Sequence, residues 1–324
     1  MAGHAISVLI PVYNRTADLA DLLSDLNRQD CRDFEVIVVD DGSTPPVSES
    51  ISKESFAYPL RILRNERNRG IGYSRNRAVE AACGELIVWI DSDSRVPGNG
   101  WLSGHAALHR ERPVAPGLPG EGAFVLHSTV IGATHNYAGR TFMYSNWCSS
   151  CQPEAHLVRG HHVPTNNTSL PRSLFDAVGR FAEDLEVAED VDWGLRALRA
   201  GIPLVYLPGL PVEHADRDTM GAVWRSYVKM GRFAQRVRRR NPRAPYSWLY
   251  PGSFPLAVLM VLPLTLLITV YTAVQWFPVD RRVLWYIPGM LAANLAYALG
   301  TVAGLRELRR AATDETGCPA EEKK

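Results

Sequence analysis

Residues Ile6–Pro11 read ISVLIP and residues Glu35–Val39 read EVIVV, and these two runs decide the fold. Each is a near-continuous apolar stretch rich in β-branched residues and followed by turn signals, the pattern of a strand buried on both faces. Leu86–Ile90 (LIVWI) repeats it. Between these runs, Thr16–Asn27 and Arg75–Ala82 read as helices. Strand–helix–strand alternation predicts an α/β fold, a mostly parallel sheet sandwiched by helices, with ligands bound beyond the carboxyl ends of the strands.

The residues that follow the strands are chemically loaded. Pro11-Val12-Tyr13-Asn14 follows the first, Asp40-Asp41-Gly42-Ser43 the second, and Asp91-Ser92-Asp93 the third. Two carboxylates in an Asp-x-Asp turn repel each other unless a cation sits with them, and a hard divalent ion there keeps positions open for diphosphate oxygens. Farther on, Glu189-Asp190 opens an amphipathic helix over Val191–Ala200, with Gly201 as its C-terminal signal. A carboxylate at a helix N-terminus is favoured in its ionised form, which suits a base at neutral pH.

Seven segments together resemble the large family of inverting glycosyltransferases known as family two, with the GT-A fold. They are Ser7–Arg15 (SVLIPVYNR), Val38–Ser43 (VVDDGS), Asn68–Ala78 (NRGIGYSRNRA), Asp91–Ser94 (DSDS), Asn166–Arg172 (NNTSLPR), Ala188–Arg196 (AEDVDWGLR) and Glu213–Arg217 (EHADR). The resemblance spans Ala5 to roughly Arg232 and implies roles residue by residue. Pro11 and Tyr13 would line a nucleobase pocket. Asp41 would accept a hydrogen bond from the base with Asp40 nearby, and Arg75 would hold the base or diphosphate. Asp91 would contact the ribose, while Asp93 would ligate Mn²⁺ or Mg²⁺ with His214 as a further metal or phosphate contact. Asp190 would be the general base and Glu189 its companion, and Asn167 would face the donor sugar or the acceptor.

The resemblance therefore implies metal-dependent, inverting transfer from a nucleotide-diphosphate sugar, UDP-sugars foremost, to an acceptor hydroxyl. Two departures from the family pattern matter. Processive members carry Gln-x-x-Arg-Trp after the base, whereas Gln235-Arg236-Val237-Arg238-Arg239 lacks the aromatic residue, so one sugar per encounter is expected. Arg180 also stands where relatives often have glycine. Two alternatives compete: a sugar nucleotidyltransferase, disfavoured because Pro11–Arg15 contains no glycine, and a non-catalytic membrane scaffold, disfavoured by the intact acids.

Composition changes toward the C-terminus. Thr219–Arg243 reads as a helix with Arg225, Lys229, Arg232, Arg236 and Arg240 along one face, as at a membrane surface. Ser253–Phe277 and Val283–Leu305 are apolar stretches long enough to cross a hydrocarbon core of ~30 Å, with aromatic residues near their ends. The short linker Pro278–Arg282 predicts a transmembrane hairpin, and arginines outside both spans orient its ends to the cytoplasm. The expected organisation is a catalytic domain over 1–218, a basic juxtamembrane helix over 219–247, the hairpin over 248–311 and a polar tail over 312–324. Such anchoring points to a lipid or lipid-linked acceptor at the inner membrane face.

Overall composition is that of a globular chain: 324 residues, 46% hydrophobic and 21% charged, with net charge +1. That balance argues against a nucleic-acid partner. Five scattered cysteines make a poor disulfide framework, and the lone pair Cys148/Cys151 lacks a second pair to close a zinc site. Met1–Ile10 has no basic segment or apolar stretch of signal-peptide kind, so the first domain is expected in the cytoplasm.

Overall fold

The computed structural model describes residues 5–52, 55–111, 122–148, 152–159 and 164–316. His4, Cys151, His161, His162, Cys318 and the last part of the expected tail lie outside the described residues. In chain order the strands are β1 (Ile6–Val12), β2 (Phe34–Asp40), β3 (Leu60–Arg64), β4 (Leu86–Trp89), β5 (Ser94–Arg95), β6 (Val125–His127), β7 (Val130–Gly132), β8 (His156–Leu157), β9 (Thr168–Pro171), β10 (Leu204–Tyr206) and β11 (Val212–His214). The helices are α1 (Thr16–Asn27), α2 (Ile71–Ala81), α3 (Trp101–Glu111), α4 (Tyr137–Asn146), α5 (Arg172–Val178), α6 (Glu189–Arg199), α7 (Met220–Arg240), α8 (Phe254–Leu259), α9 (Val261–Trp276) and α10 (Val283–Thr316). They form two compact units, Met1–His135 with Trp147–Asp216, and Asn136–Asn146 with Arg217–Lys324.

The first unit is built on an eight-stranded sheet of order β3-β2-β1-β4-β9-β6-β10-β8. β1 pairs in parallel with β2 and β4, β2 with β3, and β6 with β10. β9 is antiparallel to both its neighbours. The order reverses at β1, so the crevice between the ends of β1 and β4 is the switch point where such sheets bind ligands. One face is filled by Trp89 of β4, whose ring meets Phe175, Phe181 and Trp193 edge-on at 5.2–6.0 Å. A second sheet, β5-β11-β7, carries His214 at the end of β11. Helix α2 starts at Ile71 rather than at the expected Arg75. Gly70, at φ 91°, ends the preceding loop in a conformation open to glycine, and Gly72 in the first turn hides the helical pattern.

The second unit differs from expectation in three ways. First, α4 belongs to it although the segment lies within the range 1–218 expected for the catalytic domain. Ala138 and Phe142 of α4 are buried with Val223, Tyr227, Ala293 and Ala296, and Trp276 Nε1 donates to the Tyr144 carbonyl at 2.8 Å. Second, Ser253–Phe277 is helical in two consecutive pieces that meet at Met260. The pieces α8 and α9 are offset at Met260, because Pro263 has no N–H for the Leu259 carbonyl and its ring crowds that oxygen. Val283–Ala311 is, among the described residues, the one helix long and apolar enough to cross a membrane. Third, α10 continues to Thr316, since the arginines and alanines of 306–312 are good helix formers, so the first five residues of the expected tail are helical.

Burial in this unit is inverted relative to a water-soluble bundle. Thr265, Thr269, Thr272, Asn294 and Thr301 are buried, and Asn294 Nδ2 donates to Thr269 Oγ1 at 2.9 Å. Leu259, Leu262, Val270, Val274 and Trp285 face outward, between 60% and 80% exposed. Helices α7 and α10 approach backbone to backbone. A Cβ on Gly300 would fall 2.3 Å from the Val228 carbonyl oxygen, and one on Gly304 2.2 Å from that of Arg232.

Candidate active site

The ends of β1 and β2 are joined by their loops. Asn14, at φ 54°, donates its backbone N–H to Ser43 Oγ at 2.9 Å and accepts the Thr44 N–H on Oδ1 at 2.9 Å. This leaves Pro11 buried and the Tyr13 ring 48% exposed at the crevice. The two neighbouring aspartates separate in role. Asp40 is buried and accepts from the Ser43 and Val47 N–H groups and from the Arg64 guanidinium. Burial alone would raise its pKa, but these donors hold it below the usual carboxylate value. Asp40 therefore pins the loop over 43–47 next to Asp41. Asp41 accepts from Asn65 Nδ2 at 2.7 Å, Arg69 N at 2.8 Å and Gly70 N at 2.9 Å, drawing the loop before α2 to the sheet edge. Gly42 permits this approach, since a Cβ there would lie 2.6 Å from the Arg67 carbonyl carbon.

Beyond β4, Asp91 and Asp93 meet His214 from the second sheet, with one ligand atom of each within 4.8 Å of the others. His214 Nε2 lies 3.4 Å from Asp93 Oδ1, and Arg15 Nη2 lies 4.0 Å from Asp93 Oδ2. The other imidazole nitrogen, Nδ1, is 2.8 Å from Asp216 Oδ1, which also accepts from Trp147 Nε1 at 3.0 Å. Burial raises the pKa of Asp91, and the charge of Asp93 adds to the effect against the pull of Arg75. Burial opposes charge on His214, but the Asp216 hydrogen bond and the nearby carboxylates raise its pKa on balance. Two carboxylates that repel, plus an imidazole whose Nδ1 is tied to a carboxylate and whose Nε2 faces them, fit a divalent cation such as Mn²⁺ or Mg²⁺.

Arg75 joins this group to the start of α6. Its guanidinium donates to Glu189 through Nη1 and to Asp91 through Nη2, the latter at 2.9 Å. Buried as it is, with both terminal nitrogens engaged, it is a strut between two acids. Its Nε is buried without a partner. Burial pushes the Glu189 carboxyl up to about 7 against the pull of Arg75, with Asp190 adding to the rise. Asp190 itself is only partly buried, and its Oδ1 accepts the Val191 N–H at 2.8 Å.

Asn167 is held by the fold. It is fully buried at φ 63°, accepts from Trp101 Nε1 at 2.8 Å, lies 3.0 Å from His105 Nε2, and donates to the Thr129 and Leu210 carbonyls, both at 2.7 Å. Its side-chain oxygen and nitrogen both serve the fold. Its neighbour Asn166 stands beside the site instead. Its Oδ1 accepts from Asp91 N at 3.2 Å and Ser94 Oγ at 3.0 Å, while its buried Nδ2 has no protein partner. Sequence reasoning passed over Asn166, Asp216 and Trp147. The His-Ala-Asp spacing at 214–216 was a usable signal for Asp216; Trp147 carries none.

With this geometry in place, comparison with known proteins identifies the class. The family model for glycosyl transferase family group 2 matches residues 86–299, well over half of the chain, and the model for glycosyl transferase family 2 matches residues 7–129. The chain belongs to glycosyltransferase family 2. An uncharacterized glycosyltransferase of Bacillus subtilis, YfnE, is 41% identical over 88 residues, 27% of this chain and 22% of that protein. The chain thus spans under a third of the first curated relatives it matches. Glycosyltransferase AglE of Haloferax volcanii is 26% identical over 77% of this chain and 81% of that protein. The pre-mycofactocin glycosyltransferase of Mycobacterium tuberculosis is 30% identical over 66% of this chain and 43% of that protein. Among solved structures, the mannosyltransferase PcManGT of Pyrobaculum calidifontis, in complex with GDP-Man and Mn²⁺, has a TM-score of 0.59 at 18% identity, covering 93% of this chain and 88% of that one. S. aureus TarS 1-349 in complex with UDP-GlcNAc has a TM-score of 0.53 at 18% identity, covering 94% and 92%. These two likenesses establish the GT-A fold.

Proposed function

We propose that the chain moves a single sugar from a nucleoside-diphosphate donor, with UDP-sugars foremost, to an acceptor hydroxyl with inversion of the anomeric carbon. The observation that carries this reading is the Arg75 strut, which links the acid-rich start of α6 to the Asp91–Asp93–His214 group. Binding of nucleotide sugars by TarS and PcManGT supports the donor class.

The exposed Tyr13 ring offers a face to the base. Asp41 accepts three protein hydrogen bonds, and an ionised carboxylate has about four acceptor positions, so one is left for a base N–H. The unpartnered Nδ2 of Asn166 replaces Asn167 as the donor-side contact. Asp91, Asp93 and His214 would hold Mn²⁺ or Mg²⁺, which when bound offsets the negative charge growing on the departing diphosphate. Asp190 takes the acceptor's hydroxyl proton as that oxygen attacks. The new carbon–oxygen bond forms opposite the bond to phosphate, whose electron pair leaves with the diphosphate, and a single displacement inverts the centre. Glu189, buried against Arg75, keeps the start of α6 in register.

We further propose that the second unit holds the enzyme at the inner face of a cytoplasmic membrane, where the acceptor is a lipid or lipid-linked molecule. The polar-in, apolar-out burial of α9 and α10 supports this, since such an arrangement suits hydrocarbon rather than water. The test uses the full chain in membranes with labelled UDP-sugars and Mn²⁺, reading diphosphate release, product partition into organic solvent and the product anomer by NMR. Asp190→Asn should lower turnover about 10²–10⁴-fold with donor affinity kept. An active Asp190→Asn would overturn the base assignment, retention of configuration the displacement, and a wholly water-soluble product the lipid acceptor.

A further inference from the structure

Three chain segments converge at one end of the second unit. Helices α7 and α10 run in the same direction, as their paired positions rise together: Val228 beside Gly300, Arg232 beside Gly304, and Arg232 Nη2 2.7 Å from Glu307 Oε1. Arg236 Nη2 follows at 3.8 Å from Glu307 Oε2. Both C-termini therefore lie side by side. Arg309 Nη2 donates to the Gly252 carbonyl at 3.1 Å, which brings the start of α8 to the same end. Arg238 donates to the Pro245 carbonyl at 2.7 Å, and its guanidinium lies 5.0 Å from the centre of the Tyr250 ring.

The charge at this end is one-sided. Arg232, Arg236, Arg238, Arg239, Arg240, Arg243, Arg306, Arg309 and Arg310 gather there against Glu307. Among the side chains described there, nine positive charges stand against the one negative charge of Glu307. Trp248, 74% exposed, and Tyr246, 49% exposed, sit on the segment that runs from α7 to α8. The outward leucines and valines of α8 and α9 begin just beyond it. The other end of α10 is different: Arg281 and Arg282 are accompanied by Asp280, which bonds Arg282 at 3.0 Å and accepts from Tyr144 Oη at 2.6 Å.

A collar of guanidinium groups and amphipathic rings, next to an apolar belt, matches the phosphate depth of a bilayer. Arginine forks bind phosphate oxygens bidentately, and exposed Trp and Tyr rings settle at the headgroup level. We infer that this collar is a binding surface for anionic phospholipid headgroups, selecting them over zwitterionic ones. The inference rests on the membrane reading above and adds to it the chemistry of the lipid.

The test uses the full chain purified in a nonionic detergent and titrated with phosphatidylglycerol or phosphatidylcholine, with bound lipid counted by native mass spectrometry. Phosphatidylglycerol should be retained at about tenfold lower concentration than phosphatidylcholine. Combined Arg239→Gln, Arg240→Gln, Arg306→Gln and Arg310→Gln should remove that preference while UDP binding by calorimetry is unchanged. Equal retention of both lipids, or a preference that survives the four substitutions, would overturn the inference. Displacement of phosphatidylglycerol by millimolar inorganic phosphate would also overturn it, marking a phosphate site instead of a lipid surface. Alkaline carbonate washing separates the two readings: release from membranes would remove the membrane reading and this inference together, whereas a chain that stays bound but takes both lipids alike removes this inference alone.

Discussion

Asp216 Oδ1 accepts hydrogen bonds from both Trp147 Nε1, at 3.0 Å, and His214 Nδ1, at 2.8 Å, and so fixes which nitrogen of His214 faces Asp93. A neutral imidazole that donates through Nδ1 presents a lone pair at Nε2, the form a metal needs. Removing the carboxylate frees the ring to turn or change tautomer and leaves two buried donors unpaired. Asp216→Ala should weaken Mn²⁺ binding about 10–100-fold, and Asp216→Asn, which keeps an acceptor, should recover part of the loss. Calorimetric titration of Mn²⁺ in the presence of UDP reads both. Wild-type affinity in Asp216→Ala would show that His214 does not depend on this contact.

A different kind of experiment suits Arg75. It is buried between Glu189 and Asp91, and a buried carboxylate stripped of its partner is expensive to keep in the fold. Arg75→Ala should destabilise the first unit by about 3–5 kcal/mol in denaturant unfolding. The double variant Arg75→Met with Glu189→Leu removes one charge pair and, with Asp91 still without its partner, should regain part of that stability without regaining glycosyl transfer. If Arg75→Ala unfolds like the wild type, the strut is not holding α6 to the sheet edge.

These two residues also mark where the sequence stops being readable. Tyr13, Asp41, Asp91 and Asp93 stand just after the strands legible in the sequence, which carries them to the crevice, whereas His214, at the end of β11, is implied only by the family resemblance. Adjacent residues of the same type defeat this logic. Asp40 and Asp41 differ by which one the last strand residue turns inward, and Asn166 and Asn167 by a single left-handed residue. Arg75 lies on a helix face that looks the same from sequence whether it meets a ligand or Glu189. Tyr137–Asn146 gave no hint of joining the second unit, because its partners lie more than seventy residues away. Pro263 and the spacing of Gly300 and Gly304 were legible signals, the first of a local helix distortion and the second of close helix approach.

Acid should weaken the first unit through two histidines remote from the carboxylates. His105 Nδ1 and His109 Nε2 lie 2.8 and 2.9 Å from Ser169 Oγ, and His105 Nε2 faces Asn167 Oδ1. This network is satisfied by neutral rings. Burial lowers His105 to about 3 and His109 to about 4, from 6.5. Between those values and 6.5 the unfolded chain binds protons that the folded chain refuses, so their contribution is present above pH 6.5 and lost as pH falls toward about 4. Unfolding midpoints in urea should drop between pH 7.5 and pH 5, and His109→Gln, which keeps a donor for Ser169, should flatten the slope. An unchanged slope would mean that these rings do not titrate on unfolding.

The α7–α10 contact makes the sharpest steric prediction. Cβ atoms on Gly231 and Gly304 would fall 2.0 Å from the Tyr297 carbonyl oxygen and 2.2 Å from that of Arg232, and neither backbone can yield without the helices separating. Separation would also pull Arg232 from Glu307 and unpack Tyr227 from Ala293 and Ala296. Gly304→Val should therefore lower the thermal midpoint of the detergent-solubilised chain and open α7 to proteolysis, at a cost of about 1–3 kcal/mol or more. Gly252→Ala, at a position where a Cβ meets nothing within 4 Å, serves as the control. If Gly304→Val melts and resists protease as the control does, the two helices are not held by backbone approach. The parallel alignment that brings their arginine-rich ends together would then need another cause.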